Sequence, residues 1–241
     1  MSDVMLNLSL GERTDAESPE SREEIQSRQA YRAIRAAIAE LALRPGQPLS
    51  EAVLSERFGF GRMPVREAVH RLRHDGLLVS VPRRGLSVAP LRIDDVREIY
   101  EILEALDGMA LKLVAPTISE AELVELEQTV DREEAALRAD RHEDWIVANK
   151  GFHQRLVLIS NNRRIASTME LLEELIARAT RLAYPLRAKP FPSVKEHREI
   201  IRALRQRDGE GAQVIGMRHR ARIRTEVLAA LSRLEGVLGA Y

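Results

Sequence analysis

The chain contains no cysteine in its 241 residues. That absence excludes disulfides, thiolate zinc sites and cysteine nucleophiles together, and it leaves histidine, carboxylate and amide groups as the available metal ligands. Aromatic residues are scarce at 4%, while hydrophobic residues reach 44% and charged residues 31%. A profile rich in Ala, Leu, Arg and Glu is that of a mainly helical protein. No stretch approaches the roughly 18 uninterrupted apolar residues of a membrane span, and the N-terminus is acidic where an export signal is basic. The expectation is a cytoplasmic chain with no membrane association. Net charge is also lacking, at zero overall, but its distribution is uneven. Residues 1–27 hold two arginines against seven acids, whereas residues 28–90 hold eleven arginines against five acids. Positive charge concentrated in one segment points to a polyanionic partner for that segment.

Residues 1–24 are polar and acidic without a sustained period and read as a flexible tail. From Ile25 to Leu43 the residues Tyr31, Ile34, Ile38 and Leu41 recur at three- and four-residue steps, which predicts an amphipathic helix ended by Pro45 and Gly46. Ser50 is a good N-cap for a second, short helix that stops before Gly59 and Gly61. Pro64 suits the first turn of a third helix, where its missing N–H had no partner. That helix places Val65, Val69 and Leu72 on one face and Arg62, Arg66, His70 and Arg73 around the other. After Gly76, two β-prone runs, Leu77–Val81 and Leu86–Val88, flank Pro82, Arg83, Arg84 and Gly85 and predict a hairpin with a basic tip. Three helices and such a hairpin make a winged helix-turn-helix over residues 25–90.

Beyond Pro90 strand signals stop, and residues 91–241 read as an all-helical bundle of six helices near 93–114, 119–138, 143–159, 163–184, 193–207 and 210–238. Ser119 with Glu122 and Ser193 with Glu196 have the spacing of capping boxes.

In a winged helix of this pattern the second helix braces the DNA backbone and the third enters the major groove by its N-terminal end, where arginines reach guanine O6 and N7. Arg62 and Arg66 lie one turn apart at that end. Arg83 and Arg84 of the wing suit phosphate contacts, which position more than they specify. The run Pro45, Gly46, Leu49, Ser50, Glu51, Leu54, then Arg62, Met63, Pro64, Val65, Arg66, Glu67, Ala68, and finally Asp75, Gly76, Leu77 resembles the DNA-binding domain of the GntR family. The resemblance implies that Ser50, Arg62, Arg66, Arg83, Arg84 and Gly85 meet double-stranded operator DNA. Ala52 stands where relatives often carry an arginine, which implies one contact fewer.

Six histidines are present, and His153, His197 and His219 fall in three separate predicted helices. Asn149 and His153 are one turn apart and share a face, with Phe152 suited to anchor that turn in a core. A bundle interior is where such groups converge. This half resembles the FCD-type ligand-binding domain of the FadR subfamily, in the branch that holds a divalent metal. The resemblance implies Asn149, His153, His197 and His219 as ligands, with Asn161, Asn162, Glu196 and Asp208 as landmarks. Neutral imidazoles suit Zn or Ni. Leu103 stands where many relatives present an effector-gripping arginine, and Asp107 where glutamate is commoner. Arg178 and Arg181 are the alternative candidates for gripping an effector carboxylate. The resemblance implies a ligand-responsive regulator, by default a repressor, that binds a palindromic operator as a homodimer and is released or remodelled by a small organic acid at the metal-containing pocket. The alternative from another class is a metal-dependent hydrolytic enzyme fused to a DNA-binding module, although no H-E-x-x-H motif supplies its general base.

Overall fold

The computed structural model describes residues 22–82 and 85–238. Most of the expected tail, and Arg83 and Arg84 of the expected wing tip, lie outside the described residues.

Helix α1 (Arg22–Ala39) is followed by the two-residue strand β1 (Pro48–Leu49), α2 (Glu51–Phe58), α3 (Arg62–His74), β2 (Leu78–Val81) and β3 (Gly85–Val88). Local chemistry accounts for these boundaries. The Ser50 hydroxyl accepts the Val53 N–H at the start of α2, and Gly59 closes that helix in the left-handed conformation at φ +72°. Gly61 caps α3, Pro64 lies in its first turn, and Gly76 turns the chain away at φ +73°. The sheet runs β1-β3-β2, all antiparallel, with Pro48 opposite Ser87 and Leu78 opposite Val88. Strand β1 carries no alternation of its own. It exists because the segment before α2 finds free backbone groups on β3, a pairing made in tertiary structure. Ile34, Ile38, Leu54, Val65, Leu72, Leu78 and Val88 form the core of this winged helix.

The second half comprises α4 (Ile93–Val114), α5 (Glu120–Arg138), α6 (His142–Ile159), α7 (Arg163–Ala183), a 3-10 turn (Tyr184–Leu186), α8 (Phe191–Arg205) and α9 (Gly209–Leu238). These are the six expected helices. Leu126, Val130, Phe152, Ile200 and Leu204 form one core of the bundle, and Tyr100, Leu103, Ile176, Ala179 and Val227 form another. Helices α4 and α9 approach closely because Gly108 and Gly216 leave room for Met217 and Leu111 on the facing helix.

The Ser119–Glu122 capping box is present, with both reciprocal bonds made. The one expected at Ser193 is not. Helix α8 starts two residues earlier, at Phe191, because Pro192 suits a helix's first turn. Ser193 is therefore inside the helix, and its hydroxyl accepts from Arg222 Nη2 at 2.9 Å. At the α6–α7 break Asn161 takes the left-handed conformation at φ 52°, and the Asn162 side chain caps α7 by accepting the Arg164 and Ile165 N–H groups.

Candidate functional site

The exposed basic surface of the winged helix follows from the amphipathicity of α3. Val65, Val69 and Leu72 are buried, while Arg62, Arg66, His70 and Arg73 are exposed. Arg71 lies over the Tyr31 ring, 4.4 Å from its centroid, and Tyr31 donates to Asp75 at 2.7 Å, which ties α1 to the end of α3. Ser50 is exposed, but its oxygen caps α2. Gly85 opens β3 at φ +76° with no atom within 4 Å of where a Cβ would stand.

The second site lies in the bundle. His153 comes from α6, His197 from α8 and His219 from α9, and all three are buried. One nitrogen of each lies within 4.8 Å of the others. Phe152 is fully buried and stacks on His197 at 4.1 Å. Each imidazole has a carboxylate on its Nδ1 side. His197 Nδ1 donates to Glu133 at 2.9 Å and His219 Nδ1 donates to Glu196 at 2.7 Å, while Asp107 lies 3.7 Å from His153 Nδ1. A carboxylate accepts, so at His197 and His219 Nδ1 carries the proton and the Nε2 lone pair is free to bind. Burial holds His153 well below its ordinary pKa, with Arg220 opposing its charge further. Burial likewise lowers His219 to about 3 against the opposing pull of Glu196. Burial would raise Glu196, but hydrogen bonds from His219 and Arg222 outweigh it and bring that carboxyl to about 2.

Three buried imidazoles, two of them oriented by carboxylates, are a donor set that suits a borderline divalent metal. His197 Nε2 is buried with no hydrogen-bond partner among the described residues, which costs free energy unless something binds it. The residues present fit such an ion. Asn149, one turn before His153, lines the same cavity.

That cavity has a volume of about 430 Å³ and runs from His153 and His219 to α1 of the winged helix, where Arg32, Arg35, Ala36 and Ala39 form its far wall. Arg181 lines it and pairs with Glu143 at 2.8 Å. Arg178 does not line it. Its buried guanidinium instead donates to the Ala89 carbonyl at 2.7 Å, in the segment joining the two halves. Leu103 is fully buried in the bundle core. The cation beside the histidines is Arg220 of α9, which is bonded to Asp107 and reaches Glu173 at 2.8 Å. Its position directly after His219 was the available sequence signal, and its acidic partners come from helices remote in sequence.

Comparison with known proteins assigns the two halves separately. The model of bacterial regulatory proteins of the gntR family matches residues 26–88, and the FCD domain model matches residues 98–222. The chain belongs to the GntR family. It is 30% identical over 187 residues to the HTH-type transcriptional repressor RspR of Escherichia coli, covering 78% of this chain and 82% of that one. It is 32% identical to the HTH-type transcriptional regulator YdhC of Bacillus subtilis, covering 77% and 83%. In fold it is similar to E. coli McbR/YncC, with a TM-score of 0.70 at 23% identity over 86% of this chain and 97% of that chain. This GntR-family chain is thus a bacterial transcriptional regulator with a winged helix and an FCD domain, and the hydrolytic alternative finds no support among its relatives. Regulators of this family bind DNA and small-molecule effectors. No helix among the described residues is long and apolar enough to cross a membrane.

Proposed function

We propose that the chain is an effector-gated repressor that binds a palindromic operator as a homodimer and is released or remodelled by a small organic acid. The observation that carries this reading is the reach of the cavity, whose inner end is the histidine cluster and whose outer wall is α1 of the winged helix. A ligand there touches both halves at once, and this differential contact is what population shift requires.

Helix α7 is the link. Glu173, Glu174, Ile176, Ala177 and Thr180 line the cavity, while Leu175 and Arg178 on the same helix meet the winged helix and the segment that follows it. Glu174 pairs with Arg35 at 2.9 Å, Leu175 packs against the winged-helix core, and Arg178 holds Ala89. A ligand that displaces the cavity face of α7 therefore shifts its other face against α1.

In this reading Asn149, His153, His197 and His219 hold a divalent Zn or Ni ion, which supplies an electrophilic centre for an effector carboxylate when bound. Glu133 and Glu196 orient the rings of His197 and His219, and burial disfavours the charged forms of His153 and His219. Arg181 provides a second positive group within the cavity. Arg62 and Arg66 read base edges, with Arg83, Arg84 and the Gly85 wing at the backbone. The second copy docks on α4, where Ile102, Met109 and Leu113 recur at seven- and four-residue steps and remain exposed.

The test is elemental analysis and native mass spectrometry of the purified chain, followed by operator gel shifts with carboxylate metabolites. About one metal per chain in a dimer whose operator affinity changes with an acid supports the proposal. A dimer that binds operator but responds to no ligand would overturn the gating.

A further inference from the structure

The outer part of the cavity carries a feature that the histidine cluster does not explain. The chain holds one tryptophan and four tyrosines, and Trp145, Tyr100 and Tyr184 all line this one cavity together with His142. The planes of His142, Trp145 and Tyr184 are nearly aligned. His142 stacks on Tyr184 at 25° between planes and lies 17° from the plane of Trp145, and Trp145 and Tyr184 are 5.4 Å apart at 33°. The Trp145 side chain is buried, yet its Nε1 has no hydrogen-bond partner among the described residues, and neither has His142 Nδ1. An indole N–H can only donate, so the absent partner must be an acceptor.

Four of the cations that line this cavity are engaged by acids of the chain, Arg220 by Asp107 and Glu173, Arg187 by Glu226, Arg181 by Glu143 and Arg35 by Glu174, while Arg32 and Lys150 line it without an ion pair among the described residues. The aromatic wall offers a flat ring an apolar surface that a ligand covered in hydroxyl groups cannot use. We propose that the outer half of the cavity is an aromatic subsite, built by His142, Trp145 and Tyr184, that selects an acid carrying an oxygen-substituted aromatic ring. The ring lies against Trp145 and Tyr184, the ring oxygen accepts from Trp145 Nε1–H, and the carboxylate points toward the histidines. This inference rests on the reading of the cavity as the effector site and narrows the chemical class of the effector.

Trp145 is the only tryptophan, so intrinsic fluorescence reports directly on this wall. The experiment titrates the full-length, zinc-loaded chain with 4-hydroxybenzoate, cyclohexanecarboxylate and gluconate, following tryptophan emission and calorimetric heat. The expected result is that 4-hydroxybenzoate changes the emission and binds about five- to tenfold tighter than cyclohexanecarboxylate, the range of an aromatic stacking contact. Tyr184→Leu should remove that preference while leaving metal content and helicity unchanged. Trp145→Leu should do the same, and the half-buried Tyr184 provides the test if the tryptophan variant does not fold.

Equal or tighter binding of cyclohexanecarboxylate or gluconate overturns the inference, as does failure of 4-hydroxybenzoate to bind at millimolar concentration. Operator release by gluconate without ring preference would discard the aromatic subsite and keep the gated regulator. A clear ring preference with no effect of any acid on operator binding would keep the subsite and discard the gating.

Discussion

His219 Nδ1 donates to Glu196 Oε2 at 2.7 Å, and Arg222 reaches the same oxygen at 2.7 Å from one turn further along α9. One carboxylate thus orients an imidazole and is itself held in place by a guanidinium. Glu133 does the first of these for His197 from α5, where both side chains are fully buried. Rings locked in this way present Nε2 without a reorganisation cost, and metal affinity should depend on these carboxylates nearly as much as on the histidines.

Glu133→Gln tests that dependence directly. Affinity for zinc should fall about 10- to 100-fold while the three histidines remain. Competition against a chromophoric chelator measures it, and an unchanged affinity would show that Glu133 is only a packing residue.

Removing two ligands should be more severe. The double variant His153→Ala, His197→Ala is expected to purify without metal, as read by elemental analysis of a chain whose circular dichroism remains helical. Undiminished metal content would sink the assignment of the site.

On the DNA side, Arg66 is exposed and makes no contact that holds the winged-helix core, so Arg66→Ala should leave folding and assembly intact. Loss of a bidentate base contact costs about 1–3 kcal/mol of discrimination. Operator affinity should therefore drop by roughly tenfold or more, with nonspecific binding reduced far less. A gel shift that retains both affinity and selectivity refutes the role.

The bond from Arg178 to the Ala89 carbonyl makes a different prediction. Burial lowers the pKa of this arginine, so its charge is costly to hold where it lies. Arg178→Met should change thermal stability by no more than about 1–3 kcal/mol, because loss of the hydrogen bond and relief of desolvation oppose each other. The variant should bind operator and ligand but show a weakened influence of one on the other. Undiminished coupling in gel shifts with ligand present would show that α7 transmits its movement through Leu175 and Glu174 alone.

Assembly is testable on α4. Met109→Glu introduces a charge in the middle of the exposed Ile102, Met109, Leu113 stripe, and sedimentation should show a monomer with native helicity. A persistent dimer would place the interface elsewhere.

Much of this molecule is set by neighbours in sequence and could be read directly. Ser50 caps α2, Gly59 and Gly76 end helices in a conformation open to glycine, and Val65, Val69 and Leu72 turn inward because 3.6-residue periodicity leaves them no other place. The approximate span of all six bundle helices, and the convergence of His153, His197 and His219, were legible for the same reason or through the family resemblance. Tertiary structure decided the rest. Strand β1 depends on a partner nearly forty residues away, and Ser193 became a buried acceptor for Arg222 when Pro192 started α8 early. Arg178 had the same sequence credentials as Arg181, yet one donates to Ala89 at the domain junction and the other lines the cavity and pairs with Glu143, because the neighbours that tertiary packing brings to each differ. Arg220 with Asp107, and Tyr184 with the His142–Trp145 pair of α6, unite side chains whose separation in sequence gives no local signal. Local propensity sets where elements begin and end, but which polar groups share a buried space depends on how helices pack, and that is a property of the whole chain.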